Sequence, residues 1–160
     1  MISFKQIRTE RDVALLMPMV QRLAESEGAT VKSDVPTLTA CLVGQGAIST
    51  ALLAFNSDEA VGYAIFSPKL STFSGIYQTY LDHLYVVPEE RRSGVASGLL
   101  RAVAKAALDS GSTQLELRVQ SSNKAALAFY QKNNGELIDN ASLIRLSQDV
   151  LVDLGSSSKG

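Results

Sequence analysis

The 160 residues carry 15 Lys and Arg against 16 Asp and Glu, so no global field draws the chain to nucleic acid or to an anionic membrane. Hydrophobic residues at 46% and charged residues at 19% suit one soluble globular domain and are too apolar for a disordered chain. The lone Cys41 and lone His83 give neither an internal disulfide nor a metal cluster, and a reducing, cytoplasmic setting is expected. No run reaches signal-peptide or membrane-span length.

Ile2, Phe4 and Ile7 predict a short N-terminal strand, and Thr9 stands as the cap of a helix over residues 10–27 with Asp12 in its first turn. Val13, Leu16, Met17, Val20, Leu23 and Ala24 make one apolar face of that helix. Pro18 is expected to kink or divide it, and Gly28 to end it. A second helix follows Ser33 or Asp34, with Pro36 in its first turn and Leu38, Cys41 and Leu42 on its buried side, until Gly44 and Gly46 stop it. Residues 50–55 and 60–66 read as a hairpin around Asn56-Ser57-Asp58-Glu59.

After a loop at residues 71–75, the strand over residues 80–87 is apolar or aromatic apart from Asp82 and His83, which predicts a central, buried position. Strict alternation puts Tyr80, Asp82, Leu84 and Val86 on one face and Leu81, His83, Tyr85 and Val87 on the other, separating Asp82 from His83. The helix over residues 93–109 buries Val95, Leu99, Val103 and Ala106 before a Gly111 stop. Leu115, Leu117 and Val119 alternate as a further strand, and Asn123 opens a helix with Ala126, Leu127, Phe129 and Tyr130 that Gly135 ends. Leu137-Ile138 and residues 143–146 predict a closing hairpin. The low-complexity end is expected to fray, leaving a domain over residues 1–154 and a flexible tail over 155–160. The order β-α-α-β-β-β-α-β-α-β-β argues an α/β fold, a mixed sheet with helices on both faces.

Between strand and helix, Arg91-Arg92-Ser93-Gly94-Val95-Ala96 has the form Arg-x-x-Gly-x-Ala. Small residues at a helix N-terminus let a diphosphate approach several successive N–H groups, and the two arginines add charge-assisted donors. The plain alternative is an ordinary helix start with two solvated arginines, and the hexapeptide alone leaves both readings open. The Walker spacing and two of the three Rossmann glycines are missing, which disfavours a nucleoside triphosphatase and an NAD dehydrogenase.

Residues 84–96, LYVVPEERRSGVA, resemble the acyl-CoA motif of the GNAT family of N-acetyltransferases, whose core is Arg or Gln, x, x, Gly, x, Gly or Ala. Asn123 to Tyr130, NKAALAFY, begins 27 residues after Ala96 and is similar to that family's second motif, with its Asn and Tyr in register. The N-terminal IRTERD and the element order agree. Thr72-Phe73-Ser74-Gly75 and YLDHLYV at residues 80–86 resemble the diamine and polyamine branch, which usually has Glu-Asp where Asp82-His83 stand.

The resemblance implies a single-domain, mostly antiparallel GNAT-like sheet, acetyl-CoA as co-substrate, a small-molecule primary amine as acceptor and a homodimer. It implies that backbone groups of Leu84 and Val86 bind the pantetheine arm and polarise the thioester carbonyl. The amides of Arg91, Arg92, Ser93, Gly94, Val95, Ala96 and Ser97 would hold the CoA diphosphate, and Asn123 would hydrogen-bond the cofactor. Tyr130 would be the general acid near the sulfur, and Arg92 stands where a glycine is usual. Direct attack in a ternary complex needs a free amine, a stabilised oxyanion and a protonated leaving thiolate, with no covalent enzyme intermediate.

Asp82, reckoned on the face of Leu84 and Val86, is the candidate base, directly or through water; the plain alternative is a strand acid in an ion pair. His83 reads as a core or interface histidine, Cys41 as a core thiol, and Glu25, Glu27 and Asp34 as a solvated patch; the resemblance implies that the loop between the first two helices borders the acceptor site, where these acids would form a rim suited to a cationic amine. A protein lysine or N-terminal acetyltransferase, and a non-catalytic acyl-CoA-binding module, remain the competing readings.

Overall fold

Helix α1 (Glu10–Ser26) starts where Thr9 and Asp12 satisfy each other in a capping box. Asp12 is nearly buried, and its carboxylate also accepts from Arg8 N–H at 3.0 Å and Lys5 Nζ at 3.0 Å, tying the helix start to strand β1 (Ile2–Gln6). Pro18 does not divide the helix into two elements. It lies on the exposed side, as does Ala14, so water can satisfy the carbonyl that loses its intrahelical donor. Helix α2 (Val35–Leu42) is capped by Asp34, which accepts from Thr37 N–H at 2.9 Å.

The computed structural model describes residues 1–139 and 143–156 and falls into two units, Met1–Arg118 and Val119–Gly160. In the first, β1, β2 (Thr50–Asn56), β3 (Glu59–Ser71), β4 (Ile76–Val86) and β5 (Leu115–Leu117) lie in that order in one sheet. Every pairing is antiparallel except β4 with β5, so the fold is mixed α/β and mostly antiparallel. β3 and β4 extend further than the apolar pattern marks, up to a tip at residues 72–75. The strand expected to be central is fourth of five, and its far edge is only partly covered.

One sheet face carries Ala51, Leu53, Tyr63 and Tyr85 against Ile7, Val13, Leu16, Met19 and Leu42 of the α1 and α2 side. The other face takes α3 (Val95–Asp109), where Val95, Leu99 and Val103 are completely or almost completely buried. Burying a side chain of this size is worth roughly 1.5–3 kcal/mol, so the two faces supply the unit's main cohesion. Gly98 lets α3 approach β1: a Cβ there would stand 2.1 Å from Phe4 Cζ. Helices thus cover both faces, as expected from the element order.

In the second unit, Asn123 caps α4 (Lys124–Lys132) by accepting from Ala126 N–H at 3.0 Å. The expected closing hairpin is not formed: residues 137–138 and 143–146 are not strand, and residues 140–142 of its turn lie outside the described residues. Each apolar run is too short to supply a ladder alone. A helix, α5 (Gln148–Ser156), follows instead, with Ser147 Oγ accepting from Val150 N–H at its start. Ser147-Gln148-Asp149 is the helix-start signal that the sequence reading passed over.

Candidate active site

The β3–β4 register pairs Ile65 with His83 but Phe66 with Leu81, leaving Asp82 as an extra residue on β4. That β-bulge resets the alternation. Phe66 and Ala64 share a face on β3, so their partners Leu81 and Leu84 share one too, although three residues separate them. Leu84 and Val86 face α3, whereas His83 and Tyr85 face α1 with their partners Ile65 and Tyr63.

The separation of Asp82 from His83 expected from simple alternation is therefore wrong. Ser67, which alternates with Ile65 and Tyr63, donates its hydroxyl to the Asp82 carboxyl and draws it to the His83 side. Asp82 does not accompany Leu84 and Val86. Partial desolvation against the strand raises its carboxyl above the usual range, and His83 and Ser67 offset part of that rise.

The bulge also redirects the backbone. Before it, Thr79 N–H reaches across to Gln114 O at 2.8 Å on the β5 side. After it, Val87 N–H goes to Val61 O at 3.0 Å on the β3 side, so the N–H groups of Leu84 and Val86 point away from β3. β5 pairs with β4 only from Thr79 to Leu81. Among the described residues, the Leu84 and Val86 amides have no ladder partner, and preorganised donors of this kind suit a carbonyl oxygen that gains charge.

A single 3₁₀ turn (Pro88–Glu90) carries the chain from β4 to the Arg91–Gly94 loop. Arg91 Nε donates to Val86 O at 3.1 Å, and its guanidinium lies 5.9 Å from the centre of the Tyr85 ring. Arg91 thus straps the loop to the end of β4. Arg92 takes φ 65°, the conformation that the usual glycine adopts freely. Gly94, at φ 91°, caps α3 without a side chain, so the N–H groups of Val95, Ala96 and Ser97 are left without a side-chain cap at the positive end of the helix. Residues 91–94 are exposed, and Ser93 Oγ donates to Glu90 O at 2.5 Å. This open, small-residue start fits a diphosphate.

On the α1 side, a cavity of about 240 Å³ is lined by Val20, Leu23, Glu27, Thr30, Lys32 and His83 among others. Glu27 is the one member of the expected acidic rim that lines it; Glu25 and Asp34 do not. The His83 ring stands edge-on to Tyr63, centroids 6.2 Å apart. Tyr63 is fully buried, and its hydroxyl has no hydrogen-bond partner among the described residues. Burial, then the neighbouring Tyr85 and Glu27, hold that hydroxyl firmly protonated. Sequence reading missed both roles; two consecutive polar residues in an apolar strand were the visible trace of the bulge.

Within the second unit, Tyr130 packs edge-on to Phe129 with centroids 5.1 Å apart, and burial pushes its hydroxyl up to about 12. The Asn123 carbonyl is spent on its helix cap, leaving its amide N–H groups as what it has to offer a ligand.

A profile of the acetyltransferase (GNAT) family matches residues 21–135. The chain belongs to that family. It is an N-acetyltransferase by this membership, and named relatives agree. The thialysine N-epsilon-acetyltransferase of Bos taurus is 33% identical over 144 residues, 81% of this chain and 83% of its own. The enzyme of that name from Caenorhabditis elegans is 34% identical over 118 residues, covering 72% and 71%. An integron cassette protein from V. cholerae superposes with a TM-score of 0.81 at 19% identity over 98% of both chains, so the two share a fold. In this GNAT chain the bulge, the half-open β4 edge and the bare start of α3 lie on consecutive stretches of one unit.

Proposed function

We propose that the protein moves an acetyl group from acetyl-CoA to a primary amine of a small molecule, by direct attack with both substrates bound. The observation that carries this reading is the bulge at Asp82, which turns the Leu84 and Val86 amides off the ladder just before a helix start bare of any side-chain cap. Acetyl-CoA supplies the activated thioester. Leu84 and Val86 N–H groups bind the pantetheine arm and the thioester oxygen, and Arg91 keeps the Val86 peptide in place. The amides from Arg91 to Ser97, with the Arg92 side chain, hold the diphosphate, and Asn123 adds an amide donor.

Tyr130 keeps its proton across the neutral range, which suits a group that protonates the departing sulfur. The acceptor enters from the α1 side, where Glu27 offers one negative charge to an ammonium. Relatives named for thialysine, and an L-ornithine N5-acetyltransferase of Arabidopsis thaliana 29% identical over 96 residues, support an amino-acid-like or diamine acceptor. The reading includes a homodimer working in a reducing, cytoplasmic setting, with a domain over residues 1–154.

Release of free CoA from acetyl-CoA is the test, with thialysine, ornithine, polyamines, an aminoglycoside and a lysine peptide as acceptors. Turnover with the small amines supports the reading. Turnover with the peptide alone replaces the acceptor class, and none with any acceptor leaves a binding module. Tyr130→Phe should lower kcat far more than CoA affinity; unchanged turnover removes Tyr130 from the reaction.

A further inference from the structure

The bulge delivers His83 to the wall of a cavity of about 240 Å³ and leaves the neighbouring carboxylate outside its lining. Asp82 is engaged by Ser67 of β3, whereas His83 is exposed and lines the cavity from its floor strand. The imidazole is oriented by its edge-on contact with Tyr63, whose complete burial makes that ring a fixed support. We propose that His83 is a catalytic residue, the group that takes the proton from the acceptor's ammonium, with the adjacent Asp82 as a positioning residue. This rests on the acetyl-transfer reading above and adds to it the identity of the base.

An amine is a nucleophile only after losing a proton. His83 accepts that proton from R–NH3⁺ and becomes imidazolium; the freed lone pair then forms the C–N bond as the C–S bond breaks. The sulfur leaves as thiolate and is protonated, the new amide nitrogen gives up its second surplus proton in exchange, and the proton on His83 returns to solvent. One amide, one thiol and one proton result. Imidazole is the side-chain type that exchanges its proton nearest neutral pH, which makes it a better match to this step than an ordinary carboxylate.

The charged and titratable groups around the imidazole are Asp82 beside it, Tyr63 and Tyr85 on its sheet face, and Glu27 and Lys32 from the segment that closes the cavity. The Tyr63 hydroxyl, buried and without a partner among the described residues, stays neutral through the working pH range.

The test is the pH profile of kcat/KM for thialysine, or whichever amine the acceptor series gives, on the full chain. His83→Gln is expected to lower kcat/KM about 100-fold at pH 7 and to remove the acid limb, with CoA affinity and thermal midpoint unchanged. Asp82→Asn is expected to keep turnover within about tenfold and to retain the acid limb, because the group that takes the proton is still present. His83→Gln with parental kcat/KM and an unmoved acid limb overturns the inference, as does an Asp82→Asn enzyme that alone loses the limb. A parent chain that releases no CoA with any amine removes the acetyl-transfer reading and this inference together; an active parent with an indifferent His83→Gln removes this inference only.

Discussion

At the start of α1, the N–H groups of Arg8, Thr9 and Asp12 all end on side-chain oxygens of Thr9 and Asp12, at 3.0 to 3.2 Å, and Lys5 balances the carboxylate. At the start of α3 the cap is Gly94, which has no side chain to give, and Ser93 turns its hydroxyl back to Glu90 O. The first N-terminus is closed on itself. The second is open, and it is flanked by Arg92 in a conformation that costs a non-glycine residue about 1 kcal/mol. A glycine in place of a side-chain cap forgoes roughly a few tenths of a kcal/mol more. Evolution tolerates such losses where the free amides have another use, so the contrast separates an end built to hold the fold from one built to hold an anion.

The strongest way to break that contrast is to close the open end. Gly94→Asp places a carboxylate where it can accept from the amides of α3 and repel a diphosphate, and Asp tolerates a positive φ better than most residues. CoA affinity measured by calorimetry should fall about 100-fold, or about 2.7 kcal/mol. Parental affinity would mean that the diphosphate lies elsewhere.

Opening the closed end is the next effect in size. Asp12→Ala leaves two backbone donors and Lys5 without their shared acceptor and should cost about 2 kcal/mol of stability, with CoA affinity unaltered. The same site predicts a pH dependence. Burial alone would raise the Asp12 carboxyl, but hydrogen bonds from Arg8, Lys5 and Thr9, with the charge of Lys5, outweigh it and hold the group at about 2. A lowered folded value means that the contribution is present above the ordinary carboxylate range and is lost as pH falls towards 2. Urea midpoints should therefore drop between about pH 4 and pH 2 in the parent and stay flatter in Asp12→Ala.

The legible parts of the molecule were the ones that local chemistry decides. Thr9, Asp34 and Asn123 announced three helix starts because a cap is set within four residues of chain. The strand, the turn and the small-residue helix start around Arg91 to Ala96 were legible because they are contiguous. The bulge was not legible in the same way: an extra residue exists only relative to a partner strand, and alternation along β4 alone assigned Asp82 and His83 to opposite faces. That one-residue shift underlies the proposal of His83 in place of Asp82 as the base. The Tyr63 hydroxyl escaped for a related reason, since nothing near it in sequence says that it will be buried without a partner among the described residues.

The smallest effect expected, and the one that sharpens the contrast most finely, is that of Arg92→Gly. Glycine relieves the strain at φ 65° but is also freer in the unfolded chain, by roughly 0.5–1 kcal/mol. The two terms oppose, so the thermal midpoint should move little in either direction. Binding has no such compensation: the variant keeps the backbone amide and loses one cation at an exposed position. CoA affinity should fall only a few-fold, and it should depend less steeply on salt than in the parent, because one fewer mobile charge faces the diphosphate. A fall in affinity with an unchanged salt slope would assign the Arg92 side chain to shaping the loop, and the amides alone to the anion.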